Sequence, residues 1–225
     1  MSIKNKIASF VKNKMEGLNN VHPSVAIPQG TYLYGSTLYK GVLLAQNTKI
    51  HKASLSGAIK IGSHTALWGP GIEILSKINN IEIGNFCSIG SKTSIISYNH
   101  NIDAISTYHI QKNILGAPQE NDIVSKGSIL IGNDVWIGSN STILSGAQIG
   151  HGVVVAAGSV VKGTLPDYAI AAGVPAKVKG FRFSSEVIAR LLQIKWWNWG
   201  IEKIKLNQKL FEQQKIELKD LDSFA

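Results

Sequence analysis

Cysteine is nearly absent from this sequence: one, Cys87, stands among 225 residues. An internal disulfide is therefore excluded, and the expected compartment is reducing and cytoplasmic. Long apolar runs are also missing. None approaches the roughly 20 residues that cross a bilayer. The stretch 1–17 interleaves lysines with Ile3, Ile7, Phe10 and Val11 and lacks the continuous apolar core and cleavage site of a signal peptide, so no stable membrane insertion is expected. Proline is scarce, with 6 residues against 22 glycines, which suits many tight corners without disorder. Acidic residues are outnumbered 14 to 23, for a net charge of +9. A basic surface meets nucleic acid, anionic lipid or a phosphorylated small molecule. No nucleic-acid motif is visible and aromatics do not alternate with basic clusters, so nucleic acid is not an expected partner. A polyphosphate cofactor or an anionic acceptor suits the charge better. No metal is expected, because no histidine pair stands at a coil-stacking spacing: His100 and His151 are not hexad equivalents.

What is present is a repeat. From Ile131 an aliphatic residue returns at every sixth position: Ile131, Ile137, Ile143, Ile149, Val155 and Val161. The fifth position of each hexad is small or β-branched: Val135, Ser141, Ala147, Val153 and Ser159. Glycine or alanine mostly follows the aliphatic residue. This period is too long for a helix face and differs from the two-residue alternation of an ordinary strand. It predicts an all-β solenoid of stacked triangular coils, each made of three hexads, with the first position pointing inward and the fifth filling a corner.

The rest of the chain is organised around that run. Residues 1–20 read as an amphipathic helix that caps the solenoid or lies on a membrane surface, the cap being preferred. The solenoid spans 21–180. Its period is broken over 29–49, read as a distorted coil or a loop, and again over 68–80. It returns at Ile83, Ile89 and Ile95, where Cys87 takes a fifth position and reads as a small buried corner side chain rather than a nucleophile. A polar insert follows over 97–128, long enough to suggest function. Helices are expected over 181–225: one opened by Ser184 or Ser185 with Glu186 in its first turn, and a second from Ile201 to about Leu218. Trp196, Trp197 and Trp199 between them read as a packing cluster.

Several pieces together resemble a known family: Ile83–Gly90, Asn99–His100, Ser106–Tyr108, Ile131–Gly138, Ala172–Lys177 and Lys195–Trp199. In this order they are similar to the hexapeptide-repeat xenobiotic acetyltransferases, the chloramphenicol and streptogramin acetyltransferases and their relatives. The resemblance implies a left-handed parallel β-helix, a homotrimer, and acetyl-CoA held in grooves between subunits. The sequence departs from the family at Tyr108-His109-Ile110, where the usual motif continues with Pro-Phe, and the part before Ile81 is longer than antibiotic-modifying members require. Relatives of this type also acetylate surface polysaccharides.

Acyl transfer from a thioester to a hydroxyl needs a base, oxyanion donors and a channel for the CoA arm. By its match to the Asn-His motif, His100 is the candidate base, since imidazole titrates in the useful range. His109 is the runner-up and, with Tyr98 and Asn99, a candidate acceptor contact. Asp103 or a backbone carbonyl could orient His100. The resemblance places Trp136 at the thiol end of the channel, as an outward sixth-position residue. Ser139 and Ala157, three hexads apart, should stack one coil above the other beside the pantetheine arm. Lys162, Gly163 and Lys177 are candidates near the CoA phosphates. The expected activity is acetyl-CoA-dependent O-acetylation of a saccharide or glycan. Alternatives are O-acetylation of an antibiotic, N-acetylation of a nucleotide amino-sugar, and a non-enzymatic hexapeptide scaffold.

Overall fold

The computed structural model describes residues 17–221. The chain winds as a parallel β-solenoid of about eight coils. Face one runs through Tyr32–Tyr34, the first half of Lys49–Ser56, the start of Ala66–Leu75, then Ser88–Ile89, Trp136–Ile137, Val154–Val155 and Ala169–Gly173. Face two carries Thr37–Leu38, the second halves of the two long strands, Ser94–Ile96, Thr142–Leu144 and Val160–Val161. Face three is a six-stranded sheet from Val42–Leu44 through Ile59–Ile61, Ile81–Ile83, Ile129–Ile131 and Gln148–Ile149 to Thr164–Leu165. The stack ends where Ala169–Gly173 pairs antiparallel with Ala176–Phe181. Below, corner one joins faces one and two, corner two joins two and three, and corner three returns to face one.

The hexad explains the wall. All six aliphatic residues from Ile131 to Val161 are at most 3% exposed, and the five fifth-position residues at most 1%. Each fully buried aliphatic side chain contributes about 1.5–3 kcal/mol relative to exposure. Serine is tolerated at the fifth position because its hydroxyl is satisfied locally: Ser141 Oγ donates to the Gly138 carbonyl at 2.7 Å. The residue after the aliphatic one is often glycine because the next coil sits against it. A Cβ on Gly132 would lie 2.8 Å from the Gly150 carbonyl carbon and from the His151 nitrogen.

Corner three uses a left-handed residue in every coil. Asn47, His64, Phe86, Asp134, Gly152 and Tyr168 have φ between +56° and +66°. For a residue other than glycine this costs about 1–2 kcal/mol, and at Phe86, Asp134 and Tyr168 the C-terminal tail offsets it. Phe86 packs on Trp196, Tyr168 on Phe183, and Asp134 pairs with Arg182 at 2.8 Å. The three Trp form a packing cluster along this edge. Trp197 is buried and stacks on His151 at 4.8 Å, and Trp199 meets Phe211 edge-on.

The early coils correct the sequence reading. Residues 29–49 are not a loop but a shortened coil: Leu38, Val42 and Thr48 are buried core positions. The period is masked because each coil here is one residue short of three hexads, with Tyr32, Lys49 and Ala66 in register. Residues 68–80 also join the wall, through Ile72 and Ile74 of the long strand Ala66–Leu75. A register slip between His51 and Ala53 hides them.

The helix expected over 1–20 falls almost wholly outside the described residues; Asn20 already belongs to the strand Asn20–Val21. Ser184 caps the helix Ser185–Ile194 by accepting from the Val187 N–H at 3.5 Å. The single helix expected from Ile201 to Leu218 is instead three short pieces, Ile201–Leu206, Gln208–Phe211 and Leu218–Leu221. The first break is at Asn207, whose Nδ2 donates back to the Lys203 carbonyl at 2.7 Å, a side chain competing with the backbone ladder.

Candidate active site

The insert leaves the solenoid at corner two, after Ser94–Ile96, and returns into Ile129–Ile131. Its base is a two-stranded antiparallel pair, Asn99–His100 with Ile123–Val124. Asn99 Nδ2 donates to Ser145 Oγ at 2.8 Å, tying the insert to the corner of the next coil. Above this clamp the loop folds over through the short helix Ile110–Asn113, whose first N–H groups, of Gln111 and Lys112, are held by Asp122.

That fold places His100. Its Nδ1–H donates to the Thr107 carbonyl at 2.6 Å. The proton is thereby fixed on Nδ1 and the Nε2 lone pair of the neutral ring is left for a substrate proton. The orienting group is thus a backbone carbonyl and not Asp103, whose own N–H bonds the Asn101 side chain. The His109 ring stacks on His100 with centroids 4.4 Å apart. His109 Nε2 is buried and has no hydrogen-bond partner among the described residues. Tyr98 is half-buried; burial first, and the charge of Glu73 second, push its phenol pKa up.

The remaining sequence candidates fall at different corners. Trp136 stands out from face one, 56% exposed, between Ser88 and Val154. Ser139 and Ala157 stack at corner one, where the Gly158 N–H donates to the Ser139 carbonyl at 2.9 Å and Ser91 Oγ donates to Ser139 Oγ at 3.3 Å. Lys177 lies opposite Ala172 on the closing hairpin, exposed, beyond the same edge as Ala157. Lys162 and Gly163 do not join them. Both are exposed at corner two, where the Gly163 carbonyl accepts from Gln148 N–H at 3.0 Å. Within one chain, then, the structure gathers Tyr98, Asn99, His100 and His109 at corner two and Trp136, Ser139 and Ala157 around face one and corner one.

Cys87 is buried in the core, and burial pushes its thiol up to about 12. A cavity of about 910 Å³ lies under the tail against Tyr168, Arg182 and Phe183, and contains none of the site residues above. Among the described residues no group of three or more His, Cys, Asp and Glu could hold a metal ion. Sequence reasoning missed an aromatic column on face one: Tyr34 stacks on His51 at 5.2 Å, and His51 on Trp68 at 5.0 Å. The even spacing of these three aromatic rings along the chain was the available signal.

Comparison with known proteins agrees with this architecture. The bacterial transferase hexapeptide family (six repeats) matches residues 128–163. A probable macrolide acetyltransferase of Lysinibacillus sphaericus is 41% identical over 140 residues, covering 59% of this chain and 77% of that protein. Chloramphenicol acetyltransferase of Klebsiella aerogenes is 40% identical over 134 residues, covering 57% of this chain and 64% of that one. A putative lipopolysaccharide biosynthesis O-acetyl transferase of Escherichia coli is 38% identical over 104 residues, covering 46% of this chain and 52% of its own length. The chain therefore belongs to the hexapeptide-repeat acetyltransferases of the xenobiotic type. It spans less than two thirds of the chloramphenicol acetyltransferase.

Proposed function

We propose that this protein is an acetyl-CoA-dependent O-acetyltransferase acting on a hydroxyl of a saccharide or surface glycan. The observation that supports the reading is the hydrogen bond from His100 Nδ1 to the Thr107 carbonyl, which engages that nitrogen and leaves Nε2 as the one to meet a substrate. His100 accepts the acceptor's hydroxyl proton as its oxygen attacks the thioester carbonyl. Collapse of the tetrahedral intermediate breaks the C–S bond, and the thiolate takes the proton back from Nε2. No covalent enzyme intermediate is needed, because both substrates are bound together. A base so placed is worth about 10²–10⁴ in rate.

In this reading Trp136, Ser139 and Ala157 hold the pantetheine arm and Lys177 meets a phosphate. Lys162 and Gly163, at the other corner, serve a neighbouring copy's cofactor. The site is completed between copies of the chain in a homotrimer. Two observations favour this: the base and Trp136 rise from different edges of one solenoid, and the insert exposes Ile102, Ile105, Ile114 and Leu115. The lipopolysaccharide-related relative favours the saccharide acceptor. The two relatives near 40% identity favour a second reading, acetylation of an antibiotic hydroxyl.

The test is thiol release from acetyl-CoA with chloramphenicol, a macrolide, a streptogramin, nucleotide amino-sugars and oligosaccharides, run with wild type and His100→Ala. Turnover on an oligosaccharide that falls at least 100-fold in the variant is the expected result. Turnover on an antibiotic alone establishes the second reading, and a rate unchanged in His100→Ala removes the base assignment.

A further inference from the structure

The aromatic column on face one ends at Trp68, and its last ring is open on one side. Both rings stacked on Trp68, His51 at 5.0 Å and Tyr32 at 6.3 Å, come from coils nearer the N-terminus. Yet Trp68 is 53% exposed. The next coil presents only Ser88, exposed, and Gly90. Gly90 admits no larger residue, since a Cβ there would lie 2.7 Å from Ser139 Oγ and 2.8 Å from the Ser139 nitrogen. One coil further on, Trp136 stands directly over Ser88. Two half-exposed indoles thus face a lane of small residues from either end, two coils apart and offset along the strand.

The space above Trp68 admits one ring. Trp136 lies two coils away, about 10 Å, and is set two residues, about 7 Å, along the strand. A ring on the open face of Trp68 needs a carbon-to-carbon contact of about 3.5–4 Å there, and Trp136 borders that space at a slant rather than covering it. The chemistry favours a pyranose over a planar drug. A pyranose offers an apolar C–H face to an indole and hydroxyls at its rim, which suits a half-exposed Trp68 beside the Ser88 hydroxyl and backbone better than a wholly apolar drug ring does. The stack of Tyr34 and His51 beneath Trp68 holds its indole in one orientation, so little freedom is lost on binding.

We infer that the open face of Trp68, above Gly90 and bordered by Ser88 and the offset Trp136, forms a subsite that stacks one pyranose ring of a glycan. The subsite deepens the saccharide reading of the function, and rests on it for its place beside the acetyl-CoA channel. Trp68 is a specificity residue here, not a catalytic one: it sets affinity for the acceptor, not the rate of acyl transfer.

The experiment is saturation-transfer NMR and a glycan array on the full chain without acetyl-CoA, comparing wild type, Trp68→Ala, Trp68→Phe and Ser88→Phe. Circular dichroism checks that each variant is folded. Ser88→Phe narrows the space beside Trp68 without removing any ring of the column, so it keeps the test valid if Trp68→Ala disturbs the column. The expected result is pyranose C–H saturation in wild type, lost in Trp68→Ala and Ser88→Phe and partly kept in Trp68→Phe. With a turned-over glycan, KM for that glycan rises at least tenfold in Trp68→Ala while kcat and KM for acetyl-CoA hold. No glycan bound by wild type, or binding indifferent to both substitutions, overturns the subsite. Trp68-dependent binding without thiol release leaves the subsite standing and removes the saccharide-transfer reading; thiol release to a glycan indifferent to Trp68 does the reverse.

Discussion

The solenoid wall and the insert over 97–128 are made from similar residues used in opposite ways. In the wall, Ile137 and Ile143 are wholly buried and each touches the coil above and the coil below. In the insert, Ile105 is fully exposed and Leu115 is 71% exposed. The wall is held by side chains pointing in, the insert by polar contacts: Asn99 to Ser145, His100 to Thr107, and Asp122 to the N–H groups of Gln111 and Lys112. A wall needs only a period. A loop that positions a base needs particular hydrogen bonds, and its apolar side chains remain available to a second molecule.

This contrast can be broken or sharpened by experiment. The largest effect is expected at the insert: His100→Ala should lower turnover by about 10²–10⁴ while the thermal midpoint stays unchanged, because the imidazole supports no core. Loss of thermal stability together with activity would mean that the hold of His100 on the insert is coupled to the core. Next, Ile143→Ala should cost about 2–5 kcal/mol in urea unfolding, as a cavity in a stacked core; a cost below about 1 kcal/mol would show that the coils collapse around the gap. Cys87 belongs with the wall. Its thiol, pushed up to about 12 by burial, should react with a disulfide reagent only after unfolding, and rapid labelling of the native protein would contradict its place in the core.

A smaller, pH-dependent effect is expected at His64, which stacks on Phe86 at corner three. Burial, and then the charge of Lys49, hold its pKa below the ordinary value of about 6.5. Below that value the unfolded chain binds a proton that the folded chain resists. Stability should therefore fall as pH drops from about 6.5 towards the depressed value and level off beneath it. His64→Gln should flatten that part of the profile; an unchanged slope assigns it to other groups. The smallest effect is expected at Ile105→Ser, within about 0.5 kcal/mol for the isolated chain, as for an exposed position. Sedimentation should nevertheless show weakened association if the insert packs against another copy.

The sequence was legible where its chemistry repeats. Ile131 to Val161 declares inward and corner positions without ambiguity, because every coil there has the same length. The early coils were obscured by the loss of a single residue per coil, which destroys a hexad count while leaving Leu33, Ile50 and Leu67 stacked. His100 was reachable through its motif, but the partner of its Nδ1 was not, since a carbonyl further along the loop carries no side-chain signature. Lys162 and Gly163, candidates for the CoA phosphates, come one hexad after Ala157 and so fall at corner two, away from Ser139 and Ala157. In a triangular coil, one hexad is the distance from one corner to the next.

The tail along corner three changes how such a stack comes apart. Coils that touch only their neighbours peel from an end, one at a time. Here Asn85 with Phe86, Asp134, His151 with Gly152, and Tyr168 belong to four successive coils, and all are engaged by Arg182, Phe183, Trp196 or Trp197. No one of these coils can loosen without disturbing a segment shared with the other three. The tail works as a splint set across the grain. A pull on the C-terminus would lift it away before any coil opened, whereas a pull across the coils would load all four contacts at once.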